Sequence, residues 1–204
     1  MSSFDHFSKS KTPRVAALSA MVALALAGCG EEPKPAPPPP PPSIEIKIGH
    51  VAPLTGGIAH LGKDNENGAR LALEEANAAN IKIDGKDAKF VMLAEDDQAD
   101  PKVGTTVAQK LIDAKVAGVV GHLNSGTSIP ASSVYNGANI PMISGSATNP
   151  QLTEQGFKGV FRVMGRDDQQ GPALASYLAS NNKPKLVAII DDATAYGEIG
   201  RAHV

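Results

Sequence analysis

The sequence has a single cysteine among its 204 residues, so no disulfide can form within the chain and Cys29 must be read from its neighbours. Its folded part also lacks any Lys/Arg cluster, and the formal net charge is -2, which removes the electrostatic footprint of a nucleic-acid-binding protein. The apolar run Val15 to Ala27 (VAALSAMVALALA) falls short of the roughly 20 residues that a membrane-spanning helix needs. No internal repeat is evident. No Ser/His/Asp set or metal-ligand cluster stands at convincing spacing, which counts against an enzyme, and no cofactor is implied. What is present is 42% hydrophobic and 20% charged residues of both signs, the composition of a globular protein of one or two domains. Its partner is therefore a small molecule or another protein.

The first residues read as an address. Lys9, Lys11 and Arg14 make a positive region ahead of the apolar run, as in an export signal. The run ends in Leu26-Ala27-Gly28-Cys29, which resembles the bacterial lipobox, whose cysteine thiol receives a diacylglycerol and becomes the mature N-terminus. Cys29 is thus the lipidation candidate. The rivals are cleavage by ordinary signal peptidase after Ala27, and a buried N-terminal helix with an incidental thiol. Residues 31–43 (EEPKPAPPPPPPS) form a polyproline II spacer able to hold a soluble domain off a membrane; the alternative is a ligand for a proline-recognition domain.

Beyond the spacer, strand and helix patterns alternate. Strands are expected at Ile44 to Val51, Ala88 to Ala94, Val116 to Gly121, Ile140 to Ser144 and Lys185 to Asp191, the last as a buried strand. Helices are expected at Lys63 to Asn80, Lys102 to Lys115, Thr127 to Ala138 and Gln169 to Ser180. In the first, Gly68, Ala69, Ala72, Leu73 and Ala76 form a small-residue face, with Glu66, Arg70, Glu74 and Glu75 on the wet side. Asp100-Pro101 is an N-cap followed by a first-turn proline. Apolar strands alternating with helices define an α/β fold with a parallel sheet covered on both faces. Ligands of such sheets bind beyond the carboxyl ends of the strands.

Several residue groups compete for the chemistry there. Gly57 to Asp64 nearly matches a phosphate-binding loop, but Asp64 stands where a magnesium-ligating hydroxyl is required, leaving a glycine-flanked turn into a helix. Asp96-Asp97 and Asp191-Asp192 sit at strand ends and could bind magnesium or accept phosphate, although caps and turns explain them better. His50, His60 and His122 have no second ligand at metal spacing. The loops Gly121 to Ser128 and Ser144 to Pro150 are small and hydroxyl-rich. Helix-terminal amides with such hydroxyls can hold a carboxylate, or they can be plain N-caps.

Taken in order, Ala52-Pro53-Leu54-Thr55-Gly56, Asn67-Gly68-Ala69-Arg70-Leu71-Ala72, Glu95-Asp96-Asp97, Asp100-Pro101, Gly121-His122, Ser144-Gly145-Ser146-Ala147-Thr148, Asp168-Gln169-Gln170-Gly171 and Tyr196-Gly197 resemble the leucine/isoleucine/valine-binding proteins of bacterial ABC importers. The resemblance covers Ile46 to Gly197. It implies a type I periplasmic-binding-protein fold, two α/β lobes that close on an amino acid and deliver it to an inner-membrane permease. By motif, Ser125 resembles the residue whose hydroxyl and amide bind the ligand carboxylate. Ser146 is similar to the one whose carbonyl takes the ammonium, and Thr148 to the one adding hydroxyl and amide. Ala147 lies between them, and Tyr196 is similar to the aromatic that covers the ligand from the second lobe. Leu61 stands near a position where several relatives carry an aromatic, implying a differently shaped pocket wall. Ala99 and Asn124 occupy positions where some relatives have a cysteine pair.

The resemblance divides the chain into a lipoprotein signal peptide (1–28), a lipid-anchored linker (29–43), ligand-binding lobe 1 (44–165) and the start of lobe 2 (166–197). Residues 198–204 match what a sequencing adapter encodes in one frame and are expected to be an artefact, since relatives continue past Tyr196-Gly197 and supply an acidic residue for the ammonium. The expectation is a monomeric, lipid-anchored protein of the periplasm or cell envelope that binds a branched-chain or other small aliphatic amino acid. The same fold binding an amide, urea or aromatic acid is the first alternative, and an exported hydrolase using the strand-end Asp and Ser residues the second.

Overall fold

A computed structural model describes residues 41–198. The export segment with Cys29, nearly all of the proline-rich stretch and residues 199–204 lie outside the described residues. The elements run β1 (Ser43–Ala52), α1 (Ala59–Ala78), β2 (Lys82–Ile83), β3 (Lys86–Asp96), α2 (Pro101–Asp113), β4 (Gly118–Gly121), α3 (Ser125–Gly137), β5 (Met142–Ser144), α4 (Gln151–Glu154), β6 (Val160–Arg162) and α5 (Asp167–Tyr177), the last continued by a π-helical turn, Leu178–Asn182. The strands form one sheet in the order β2-β3-β1-β4-β5-β6, parallel except for the antiparallel β2. The fold is the expected α/β type, a mostly parallel sheet flanked by helices.

The register explains where the core lies. Side chains alternate along each strand, and one face of the sheet meets α2 and α3. Val51, Val107, Ala108, Leu111, Val116, Val119, Ala131, Tyr135, Met142 and Leu152 are buried in that layer. α2 begins as the sequence predicts: the Asp100 carboxylate accepts the amides of Lys102 (2.7 Å) and Val103 (3.0 Å), and Pro101 needs no acceptor at the first position. The other face carries α1, with Ala69, Leu73 and Ala76 half-buried. Its cover is incomplete among the described residues, since Ile143 and Phe161 are exposed beside a shallow apolar hollow.

Two expectations fail. Glu66 is on the buried side of α1, only 5% exposed, and not in solvent. Lys63 (2.5 Å) and Arg70 (2.6 Å) pair with its two oxygens, and the bond from Lys63, aided by Arg70, holds its carboxyl below the usual range. Gly68 and Ala72 are exposed in its place. The apolar run Lys185 to Asp191 forms no strand: Leu186 is 89% and Ile190 94% exposed, and no strand pairs with it among the described residues.

α1 is anchored at its start by close backbone approach. A Cβ on Gly62 would run into the Pro53 carbonyl. Neither backbone can give way without moving β1 or α1, so Gly62→Ala is expected to cost about 1–3 kcal/mol, read from the denaturant midpoint. An unchanged midpoint would show that the turn at Pro53 yields.

Candidate ligand-binding site

β4 and β5 end at the same edge of the sheet, and each runs into a polar loop. The first enters α3 with Asn124 as N-cap. The Asn124 carbonyl accepts the amides of Thr127 (3.2 Å) and Ser128 (2.9 Å), while the amides ahead of them have no acceptor within the helix. A helix N-terminus with spare donors favours an anion. Ser125 is at this point, buried, and its Oγ accepts the amide of Asn149 (3.2 Å), leaving its own proton for another acceptor.

The loop after β5 is laced to the first. Ser144 Oγ donates to the His122 carbonyl (2.8 Å) and accepts the amides of Ala147 (3.0 Å) and Ser146 (3.3 Å). Ser146 Oγ donates to the Leu123 carbonyl (2.7 Å). These bonds bring Ser125, Ser146, Ala147 and Thr148 into one region. Among the described residues, Thr148 Oγ1 and Asn124 Oδ1 in these loops, and Arg162 Nε beside them, are buried and unbonded. Leaving such a group unsatisfied costs about 1–3 kcal/mol, so each calls for a bonding partner beyond the described residues: water, a ligand or another part of the protein.

The other two candidates border this region. Asn65 reaches the second loop, its Oδ1 lying 3.3 Å from where a Gly145 Cβ would be. Leu61 is four residues earlier on the same face of α1 and is 45% exposed. Tyr196 follows Ala195, whose carbonyl accepts from Asn149 Nδ2 (2.6 Å) and whose Cβ lies near Gly126. That contact places the segment carrying Tyr196, 55% exposed, beside both loops.

Sequence reasoning missed Arg162 altogether. This residue ends β6 and spreads its guanidinium over the second loop: Nη1 donates to the Ala147 carbonyl (2.9 Å), and Nη2 to the carbonyls of Asn149 (2.8 Å) and Pro150 (3.3 Å) and to Thr153 Oγ1 (3.0 Å). A charged residue closing a short apolar strand at the ligand edge was the available signal.

The acidic pairs are occupied with structure. Asp96 accepts from the Leu54 and Gln98 amides and the Thr55 hydroxyl, and Asp97 from the Ala99 amide and His122. Asp191 and Asp192 cap the turn at Ala193-Thr194 and end no strand. His60 is exposed, whereas His50 is buried, and burial lowers its pKa against the opposing pull of Glu66 and the Val120 backbone. Two concavities lie apart from the loops: one of about 470 Å³ between α1 and the sheet, and an apolar one of about 660 Å³ between α5 and residues 183–189. Neither is lined by Ser125, Ser146 or Thr148.

A mostly parallel α/β sheet thus brings two interlocked hydroxyl-rich loops to one edge, beyond the carboxyl ends of its strands, where sheets of this class take their ligands. The family model described as periplasmic binding protein matches residues 45–204, and the chain belongs to that family. It is similar to the leucine-specific-binding protein of Salmonella typhimurium, 41% identical over 155 residues, which are 76% of this chain and 41% of the relative. It is 43% identical over 154 residues to the Leu/Ile/Val-binding protein homolog 1 of Brucella abortus, with the same coverage. Among solved structures it resembles the branched-chain amino acid transporter substrate-binding protein LivJ of Streptococcus pneumoniae in complex with isoleucine, with a TM-score of 0.72 and 31% identity, covering 78% of this chain and 45% of that one. The chain thus spans about two fifths of the length of the curated relatives it matches.

Proposed function

We propose that the chain carries the first ligand-binding lobe, residues 44–165, and the beginning of the second, residues 166–197, of an extracytoplasmic solute-binding protein of an ABC importer. Its ligand is a branched-chain or other small aliphatic amino acid, bound without turnover. The observation that carries this reading is the pair of buried groups without a partner among the described residues, the Thr148 hydroxyl, which can donate or accept, and the acceptor Asn124 Oδ1, beside the open first turn of α3. A zwitterion needs donors at one end and acceptors at the other. The Ser125 hydroxyl and amide take the carboxylate, the Ser146 carbonyl takes the ammonium, and Thr148 serves the same backbone groups. Leu61 and Tyr196 flank the side chain, with Ala147 between the polar contacts. The names of the relatives, leucine-specific and Leu/Ile/Val-binding, support the ligand class. Cys29 anchors the monomeric protein to the cell envelope by lipid, and an inner-membrane permease receives the ligand.

Calorimetric titration of the full-length gene product with leucine, isoleucine, valine and alanine, alongside amides, urea and aromatic acids, tests the reading. Heat with an aliphatic amino acid supports it. Flat heats for every amino acid would sink it, and heat from an amide or aromatic acid alone would reassign the ligand. Ser125→Ala is expected to weaken an amino acid about tenfold, since one hydroxyl donor is lost while the amide remains. An amide ligand would be affected less.

A further inference from the structure

We propose that Asp97, His122 and Tyr135 form a buried hydrogen-bond relay that positions both ligand loops, by fixing the one backbone carbonyl on which the loops converge. The proposal deepens the binding reading above and rests on it for the choice of ligand.

The three side chains come from three segments. Asp97 follows β3, His122 follows β4, and Tyr135 lies in α3, and all are fully buried. His122 Nδ1 is 2.9 Å from Asp97 Oδ2, and Nε2 is 3.2 Å from the Tyr135 hydroxyl. The other Asp97 oxygen accepts the Ala99 amide (3.0 Å). A carboxylate only accepts, so Nδ1 carries a ring proton; in the neutral ring Nε2 is then the acceptor and the phenol donates to it. Burial, with the charges of Asp97 and Glu95, raises the pKa of the Tyr135 phenol well above its ordinary value and keeps that donor in place. Every donor then points the same way, and the ring has one orientation.

The output of the relay is in the site. The His122 carbonyl accepts the hydroxyls of Ser128 in α3 (3.1 Å) and Ser144 at the end of β5 (2.8 Å). Ser144 Oγ in turn holds the amides of Ser146 and Ala147. A ring that could rotate would let this carbonyl swing, and both loops would lose their common acceptor. A fully buried network of this kind is worth its desolvation only when each member is satisfied. His122, which the sequence showed only as an isolated histidine, therefore acts as a positioning residue through its backbone.

The test uses the full-length gene product with three variants: Asp97→Asn, Tyr135→Phe and, as a control in the same core layer but outside the relay, Val107→Ala. Three quantities are read: leucine affinity, hydrogen-exchange protection of the Ala147 amide, and the His122 tautomer from nitrogen chemical shifts. The expected result is an Nδ1-protonated ring in the unaltered protein. Asp97→Asn and Tyr135→Phe should each raise the leucine Kd and lower Ala147 protection at least tenfold. Val107→Ala should lower the thermal midpoint but change neither quantity as much. Unchanged protection and affinity in the relay variants, or losses matched by Val107→Ala, overturn the proposal. So does an Nε2-protonated His122 in the unaltered protein, which needs no variant to fold. If the unaltered protein binds no amino acid, the functional reading fails separately, and tautomer and Ala147 protection alone decide the relay.

Discussion

Replacing Arg162 by alanine is expected to lower stability by about 3 kcal/mol and to weaken amino acid binding about a hundredfold. The guanidinium reaches from β6 to the loop after β5 and donates to three carbonyls there, those of Ala147, Asn149 and Pro150, as well as to Thr153 Oγ1. Hydrogen bonds from a charged donor contribute roughly 1.5–3 kcal/mol each, but these share one group and do not add, and water can reach part of the site. Removing the guanidinium leaves three carbonyls that repel one another where Thr148 must be held still. Arg162→Lys should recover less than half of either loss, because an ammonium is a point donor and cannot span a planar set of acceptors. Denaturant midpoints and titration measure the two effects. A variant with ordinary affinity would show that the loop keeps its shape through Ser144 and Ser125 alone.

Local chemistry made much of this fold legible. The Asp100-Pro101 start of α2 was readable because a cap and a first-turn proline are decided within four residues. The two loops were legible as hydroxyl-rich segments at the carboxyl ends of apolar strands, but spacing alone left plain N-caps and a carboxylate site equally open, and only the family resemblance singled out their residues. The failures have non-local causes. Glu66 looked like a solvent-facing residue, and only the pairing with Lys63 and Arg70 on neighbouring turns lets its charge go inside. Lys185 to Asp191 has the composition of a buried strand, but composition cannot supply a neighbouring strand, and the described residues give it none. β6 is too short for any periodicity to show. Arg162, and the Asp97, His122 and Tyr135 relay, depend on contacts between residues 13 to 25 positions apart or between separate elements, which no spacing rule in one sequence reveals.

Thr148→Val is expected to change stability and binding in opposite directions. Thr148 Oγ1 is buried without a partner among the described residues, where its hydroxyl is a cost that folding bears. Valine keeps the branched shape and removes the polar atom. The ligand-free variant should therefore be as stable as the unaltered protein or more stable by about 1 kcal/mol, although a threonine-to-valine change in a satisfied environment is usually destabilising. In the proposed site a bound amino acid would lose the Thr148 hydroxyl as a partner, at a cost of about 2 kcal/mol, or roughly thirtyfold in Kd. The stabilisation that a ligand gives the protein should shrink to match, because that increment is set by the ratio of ligand concentration to Kd. Thermal unfolding with and without leucine reads both signs in one experiment. A variant that is less stable and binds normally would assign the Thr148 hydroxyl to the fold and not to the ligand, since a group kept for the ligand is one whose absence the empty protein does not miss.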